Sequence, residues 1–84
     1  MLEYKTHGVC ASKISYKIKD GIIDKVIFTD GCDGNLQGLS RLLEGMTPQE
    51  AINRLKGISC NNKGTSCPDQ FAIALEEAIK SQRI

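Results

Sequence analysis

Polar and apolar residues alternate from Lys13 to Lys19. Ile14, Tyr16 and Ile18 fall on one side; Lys13, Ser15, Lys17 and Lys19 fall on the other. This period of two predicts a half-buried antiparallel strand over residues 12–19. Asp20-Gly21 follows, a pair suited to a two-residue hairpin turn. Residues 22–29 are rich in β-branched side chains and are the expected partner strand. Their run Val26-Ile27-Phe28 predicts fuller burial near the strand's end. Residues 2–6 read as a short first strand or a frayed arm.

Beyond Asp30-Gly31-Cys32-Asp33-Gly34 the period changes. Leu36, Leu39, Leu42 and Leu43 recur at helical spacing, predicting a helix over 35–44 with Gly45 as its C-cap. Thr47-Pro48-Gln49-Glu50 is a helix start, with Thr47 as N-cap, Pro48 at the first position and Glu50 closing a capping box. That helix carries Ala51, Ile52 and Leu55 and stops at Gly57. A last helix, 69 to about 82, places Phe71, Leu75, Ala78 and Ile79 on one face. Strands precede helices, so the expected class is α+β: a two- to three-stranded antiparallel sheet followed by three helices packed on one face. No repeat or linker interrupts the chain, and a single domain over 1–84 is expected.

The 84 residues leave room for only a small core, which a staple or a partner would help. The net charge of +1 gives no electrostatic case for nucleic acid or an anionic membrane as partner. With no Trp, two Phe and two Tyr, a base-stacking platform is not expected either. The N-terminus starts no signal peptide and no apolar run is long enough to span a membrane, so a cytoplasmic location is expected. Thiols stay reduced there. Four cysteines in such a chain point to metal or redox chemistry before a disulfide framework.

The four cysteines occupy junctions between predicted elements. Cys10 precedes a strand, Cys32 lies between strand and helix, Cys60 follows a helix, and Cys67 opens one. None is expected within an apolar face. The stretch Gly57-Ile58-Ser59-Cys60-Asn61-Asn62-Lys63-Gly64-Thr65-Ser66-Cys67-Pro68-Asp69 has no apolar periodicity, and its Asn and Gly residues allow tight backbone. Pro68 fits the first position of the last helix, with Cys67 at or beside its N-cap, where the positive helix end favours a thiolate. Helices laid on the sheet could bring all four junctions to one end. Four thiolates there suit a tetrahedral site with metal–sulfur distances of about 2.3 Å, for zinc or an iron–sulfur cluster. The intervals of 21, 27 and 6 residues match no common compact zinc pattern. Ordinary loop or core cysteines that never meet are the competing reading. Main-chain N–H groups at Gly31, Gly34 and Gly64 are candidates to hydrogen-bond the sulfurs and spread their charge.

Thr65-Ser66-Cys67-Pro68-Asp69 spells the motif for which the TSCPD domain is named. Gly8-Val9-Cys10, Asp30-Gly31-Cys32 with Gly34, and Gly57-Ile58-Ser59-Cys60 agree with it. The chain resembles the short stand-alone members of that family along essentially its whole length. The same domain occurs at the C-terminus of adenosylcobalamin-dependent ribonucleotide reductases. The resemblance therefore implies a metal held by Cys10, Cys32, Cys60 and Cys67, and an accessory place in deoxynucleotide synthesis with ribonucleotide reductase as partner. It can attract the label ribonucleoside-diphosphate reductase. That reaction, however, needs a radical cofactor, a substrate barrel and a nucleotide pocket for which this chain has no room.

A looser resemblance is to iron–sulfur cluster scaffold proteins, whose three cysteines sit where Cys10, Cys32 and Cys67 stand. Gly31-Cys32 before a leucine-rich helix and Gly45-Met46-Thr47 opening the next helix are also similar. Here Ser66 replaces a His before the late cysteine and Ser12 replaces an acidic residue. A long N-terminal helix is missing, and Cys60 is extra. The alternatives to a structural zinc site are thus a cluster scaffold or carrier, and a Cys60–Cys67 dithiol relaying electrons to ribonucleotide reductase. His7 is a weaker candidate ligand. Turn and capping chemistry accounts for Asp30 and Asp33, and helix-start chemistry for Asp69. Lys13, Lys17 and Lys19 read as a solvated face.

Overall fold

Strands β1 (Leu2–Lys5), β2 (Lys13–Lys19) and β3 (Ile22–Thr29) form an antiparallel meander with β2 in the centre. Helices α1 (Asp33–Leu43), α2 (Pro48–Leu55) and α3 (Cys67–Lys80) follow, giving the expected α+β arrangement. The computed structural model describes residues 1–31, 33–59 and 64–84, with Asp33 as backbone only.

The hairpin between β2 and β3 turns on Asp20 and Gly21, both at positive φ (54° and 79°). That is the mirror-image turn whose twist matches antiparallel strands. The pairing then slips. Lys17 faces Lys25, whereas Ile18 faces Ile23, so Asp24 is an extra residue in a bulge. The slip puts Ile23 and Val26 on the inner face although they are three residues apart. Both are buried. Ile27 then faces outward and is 41% exposed, so the fuller burial expected for Val26-Ile27-Phe28 does not occur.

Phe71 on α3 is the centre of the core. The rings of Tyr16 and Phe28 meet it edge to face at 5.5 and 6.2 Å between centroids. Ile14, Ile23 and Val26 from the sheet, Leu43 from α1, Ala51, Ile52 and Leu55 from α2, and Leu75 from α3 complete it. Two expected core residues lie outside. Leu42 is 72% exposed because one residue before Leu43 is a rotation of about 100° on a helix. Ile79 lies at the margin of the α3 stripe and is 41% exposed.

Helix ends follow the capping residues. Thr47 caps α2, its hydroxyl accepting from the Glu50 N–H at 3.2 Å, and Pro48 opens the helix. Helix α3 starts two residues earlier than expected. Its N-cap is Ser66, Cys67 is the first helical residue and Pro68 the second. Either position suits a residue without an N–H. Between α1 and α2 the chain crosses the free edge of β3. There the Gly45 N–H donates to the Ile23 carbonyl at 2.9 Å, and the Ile23 N–H donates to the Met46 carbonyl at 2.8 Å.

Candidate metal centre

Cys10 lies in the connection from β1 to β2. That connection is closed by the Thr6 N–H on the Ser12 carbonyl at 3.4 Å and by the Thr6 hydroxyl on the Ala11 carbonyl. Its far end is fastened to the end of β3. The Ser12 N–H donates to the Thr29 carbonyl at 2.8 Å, and the Ser12 hydroxyl to the Asp30 carboxylate at 2.8 Å. Gly31 comes next, at φ 95°. A Cβ there would lie 3.1 Å from the Ala11 nitrogen and 2.9 Å from Leu36 Cδ1. The residue after Cys10 and the residue before Cys32 are therefore in contact.

Cys67 packs into the same corner. It is buried in a small cluster with Ala11 and Leu36, bordered by Val9, Phe28 and Leu39. This corrects the expectation that no cysteine lies within an apolar face. Cys67 is four residues before Phe71, one turn along the core stripe of α3. Cys10, between Val9 and Ala11, is exposed. Cys32 and Cys60 lie outside the described residues. Among the described residues no group of three His, Cys, Asp or Glu side chains is placed to hold a metal, His7 included.

The start of α3 carries a buried polar network. The Asp69 carboxylate accepts the Gly57 N–H at 2.7 Å on one oxygen and the Thr65 hydroxyl at 2.6 Å on the other. Its own N–H donates to the Ser66 cap at 3.1 Å. Gln70 extends the chain of bonds. A main-chain N–H can only donate, so the Gln70 atom 3.1 Å from the His7 nitrogen is the oxygen. The amide nitrogen therefore donates to the Thr65 hydroxyl at 2.9 Å. That hydroxyl in turn donates its hydrogen bond to the Asp69 carboxylate. Every member has a partner, and no buried side-chain nitrogen or oxygen among the described residues lacks one.

Asp69 and Gln70 are 6% and 5% exposed. Sequence reasoning gave Asp69 only a helix-start role and Gln70 none. The available signal was the Thr65–Asp69 spacing of four together with the two glycines bounding the loop. The Gly64 N–H, a candidate donor to sulfur, is instead directed to the Ser59 hydroxyl at 3.1 Å. Asp30, whose φ is 64°, holds its turn and accepts from Ser12.

A family model for the TSCPD domain matches residues 2–79. The chain belongs to the TSCPD domain family. No curated protein and no solved structure matches it significantly. In this TSCPD domain the motif is a self-contained helix start. Thr65 bonds Asp69, Ser66 caps, Cys67 presents a thiol in the first turn, Pro68 needs no acceptor, and Asp69 ties down the preceding loop. No helix among the described residues is long and apolar enough to cross a membrane.

Proposed function

We propose that this TSCPD domain is a metal-binding module that holds one zinc ion through Cys10, Cys32, Cys60 and Cys67. The observation that carries this reading is the corner itself. Cys67 packs with Ala11, and Ala11 touches Gly31. The residue after Cys10 thus packs in one cluster with Cys67 and touches the residue before Cys32. Soft thiol donors at the junctions of strand, loop and helix fit zinc. Bound there, zinc supplies a closed tetrahedral link with no open position for water or substrate, which is a structural role. The chain's part is to hold the Cys10 loop against the end of β3, and the start of α3 against both. A small core gains from such a staple.

The biological role in this reading is accessory and cytoplasmic. Resemblance to the domain at the end of adenosylcobalamin-dependent ribonucleotide reductases makes ribonucleotide reductase the proposed partner and deoxynucleotide synthesis the context. The domain supplies architecture to that reaction, not its chemistry.

An iron–sulfur scaffold is the second reading, and one contact favours it. Asp30 brings a carboxylate to Ser12, the place where those scaffolds carry an acidic residue. Against it, Ser66 stands where they carry His, and its hydroxyl is engaged in capping α3. Metal content per chain, with an absorption spectrum, separates the readings on protein purified without oxygen. One zinc and no visible band are expected. Iron with sulfide and a visible band would replace zinc by a cluster. No metal, with a reversible Cys60–Cys67 disulfide, would overturn both in favour of the dithiol relay.

A further inference from the structure

The network around Asp69 joins three separate segments. Through Gly57 and Thr65 it holds the two ends of the loop that contains Cys60. Through Gln70 it holds His7, three residues before Cys10. Its anchor is the first turn of α3, which carries Cys67. Gly8 lies beside the network too, since a Cβ there would lie 3.7 Å from Thr65 Cγ2. Asp69 itself is two residues before Phe71 and so lies on the opposite side of α3 from the core stripe. It contributes nothing to the apolar core, yet it is buried, with Gly57 and Thr65 bonded to its carboxylate.

We infer that Asp69 is the positioning residue of the thiol site: its carboxylate, through Thr65 and Gln70, fixes the Cys10 and Cys67 segments relative to each other. The carboxylate suits this role because it only accepts. It accepts one hydrogen bond from the Gly57 amide and one from the Thr65 hydroxyl, whose oxygen is then free to accept from Gln70. An amide at position 69 presents one acceptor and one donor. The donor would face the Thr65 hydroxyl, whose proton then has no carboxylate to meet. The Thr65 oxygen then accepts from both amides, its own hydrogen is left without an acceptor, and the network that holds His7 loosens.

This inference rests on the zinc reading for one of its two readouts only. The first is zinc affinity of the full chain by competition with a chromophoric chelator. Asp69→Asn and Thr65→Val are each expected to weaken zinc about 10–100-fold, the usual cost of losing an outer hydrogen bond at a metal site. Ile23→Val, in the sheet part of the core and away from the network, is the control for simple destabilisation and should weaken zinc far less than either variant. The second readout needs no metal. Dibromobimane bridges neighbouring thiols, and the Cys10–Cys67 product is counted by peptide mass spectrometry. Bridging is expected in the reduced wild-type chain and reduced several-fold in both variants. Unchanged affinity and unchanged bridging in Thr65→Val, which preserves side-chain shape, would overturn the inference even if Asp69→Asn fails to fold. A wild-type chain that bridges no Cys10–Cys67 pair would overturn it as well. Loss of bridging in the variants of a chain that binds no zinc would sink the zinc reading and leave the positioning role standing.

Discussion

The main-chain nitrogen of Ala11 stands 3.1 Å from where a side chain on Gly31 would begin. A side chain there requires the Ala11 backbone and the Leu36 methyl to give way, and φ at Gly31 is 95°, where L-residues are strained. Gly31→Ala should therefore destabilise the domain by about 1–3 kcal/mol. Urea unfolding followed by circular dichroism measures it. On the proposed zinc reading the loss should be accompanied by weaker metal retention, because the same contact joins the segments that lead to Cys10 and Cys32. A stable Gly31→Ala chain would mean that the Ala11 contact is not close.

Ser66 caps α3 through the Asp69 N–H, and its side chain is buried. Ser66→Ala leaves that N–H without its acceptor. The expected cost is about 0.5–2 kcal/mol, with Ser66→Asp restoring most of it. Thermal melting of the two variants provides the comparison. Equal losses in both would argue that burial of the hydroxyl, not capping, sets the effect.

Alkaline pH should loosen the fold. Burial pushes the Tyr4 phenol up from its usual value, with the nearby Glu77 carboxylate and its hydrogen bond adding to the rise. Burial also raises Tyr16, and Glu77 adds to this while Arg83 opposes it. A raised folded-state value means the neutral phenol is favoured by folding. That stability is fully present below the unfolded value of about 10 and is lost as pH climbs through the folded values. Ultraviolet titration should show both tyrosines ionising above the ordinary range, together with loss of structure. Tyr16→Phe should flatten the pH dependence of the melting temperature above pH 10.

On the outer face of the sheet Lys17 stands directly opposite Lys25, and Lys5 opposite Lys13. Like charges in such positions repel. Lys13 has partial relief from Glu3 at 3.7 Å. Lys25→Glu converts the first pair to an attractive one and should stabilise by about 0.2–1 kcal/mol, less at high salt. Urea midpoints at two ionic strengths test this. A salt-independent change would point to strand propensity instead.

The sheet and helices were legible because alternation at Ile14, Tyr16 and Ile18, and the leucine spacing after Asn35, are local signals. The Asp24 bulge was not. A single extra residue changes which of Val26, Ile27 and Phe28 faces inward, and nothing in the strand's composition announces it. The burial of Cys67 follows from the helix start, since the spacing predicts a helix from Asp69 and α3 begins at Cys67. Moving the start to Cys67 makes the thiol one turn from Phe71. Asp69 and Gln70 were illegible for another reason. The partners that surround them include Gly57 and His7, which are near them only after folding. The cysteines themselves were plain, and so was the five-residue motif.

The crossing of β3 by the chain between Gly45 and Met46 bears on association with other chains. Both backbone groups of Ile23 on the free edge are already taken. A foreign strand cannot pair there without displacing them. The opposite edge is β1, only four residues long and carrying Glu3 and Lys5. Short, charged edges are poor templates for growth. Edge-to-edge polymerisation, a common fate of small exposed sheets, is thus hindered at the start of β3 by the bonds on Ile23 and discouraged at the other border by length and charge.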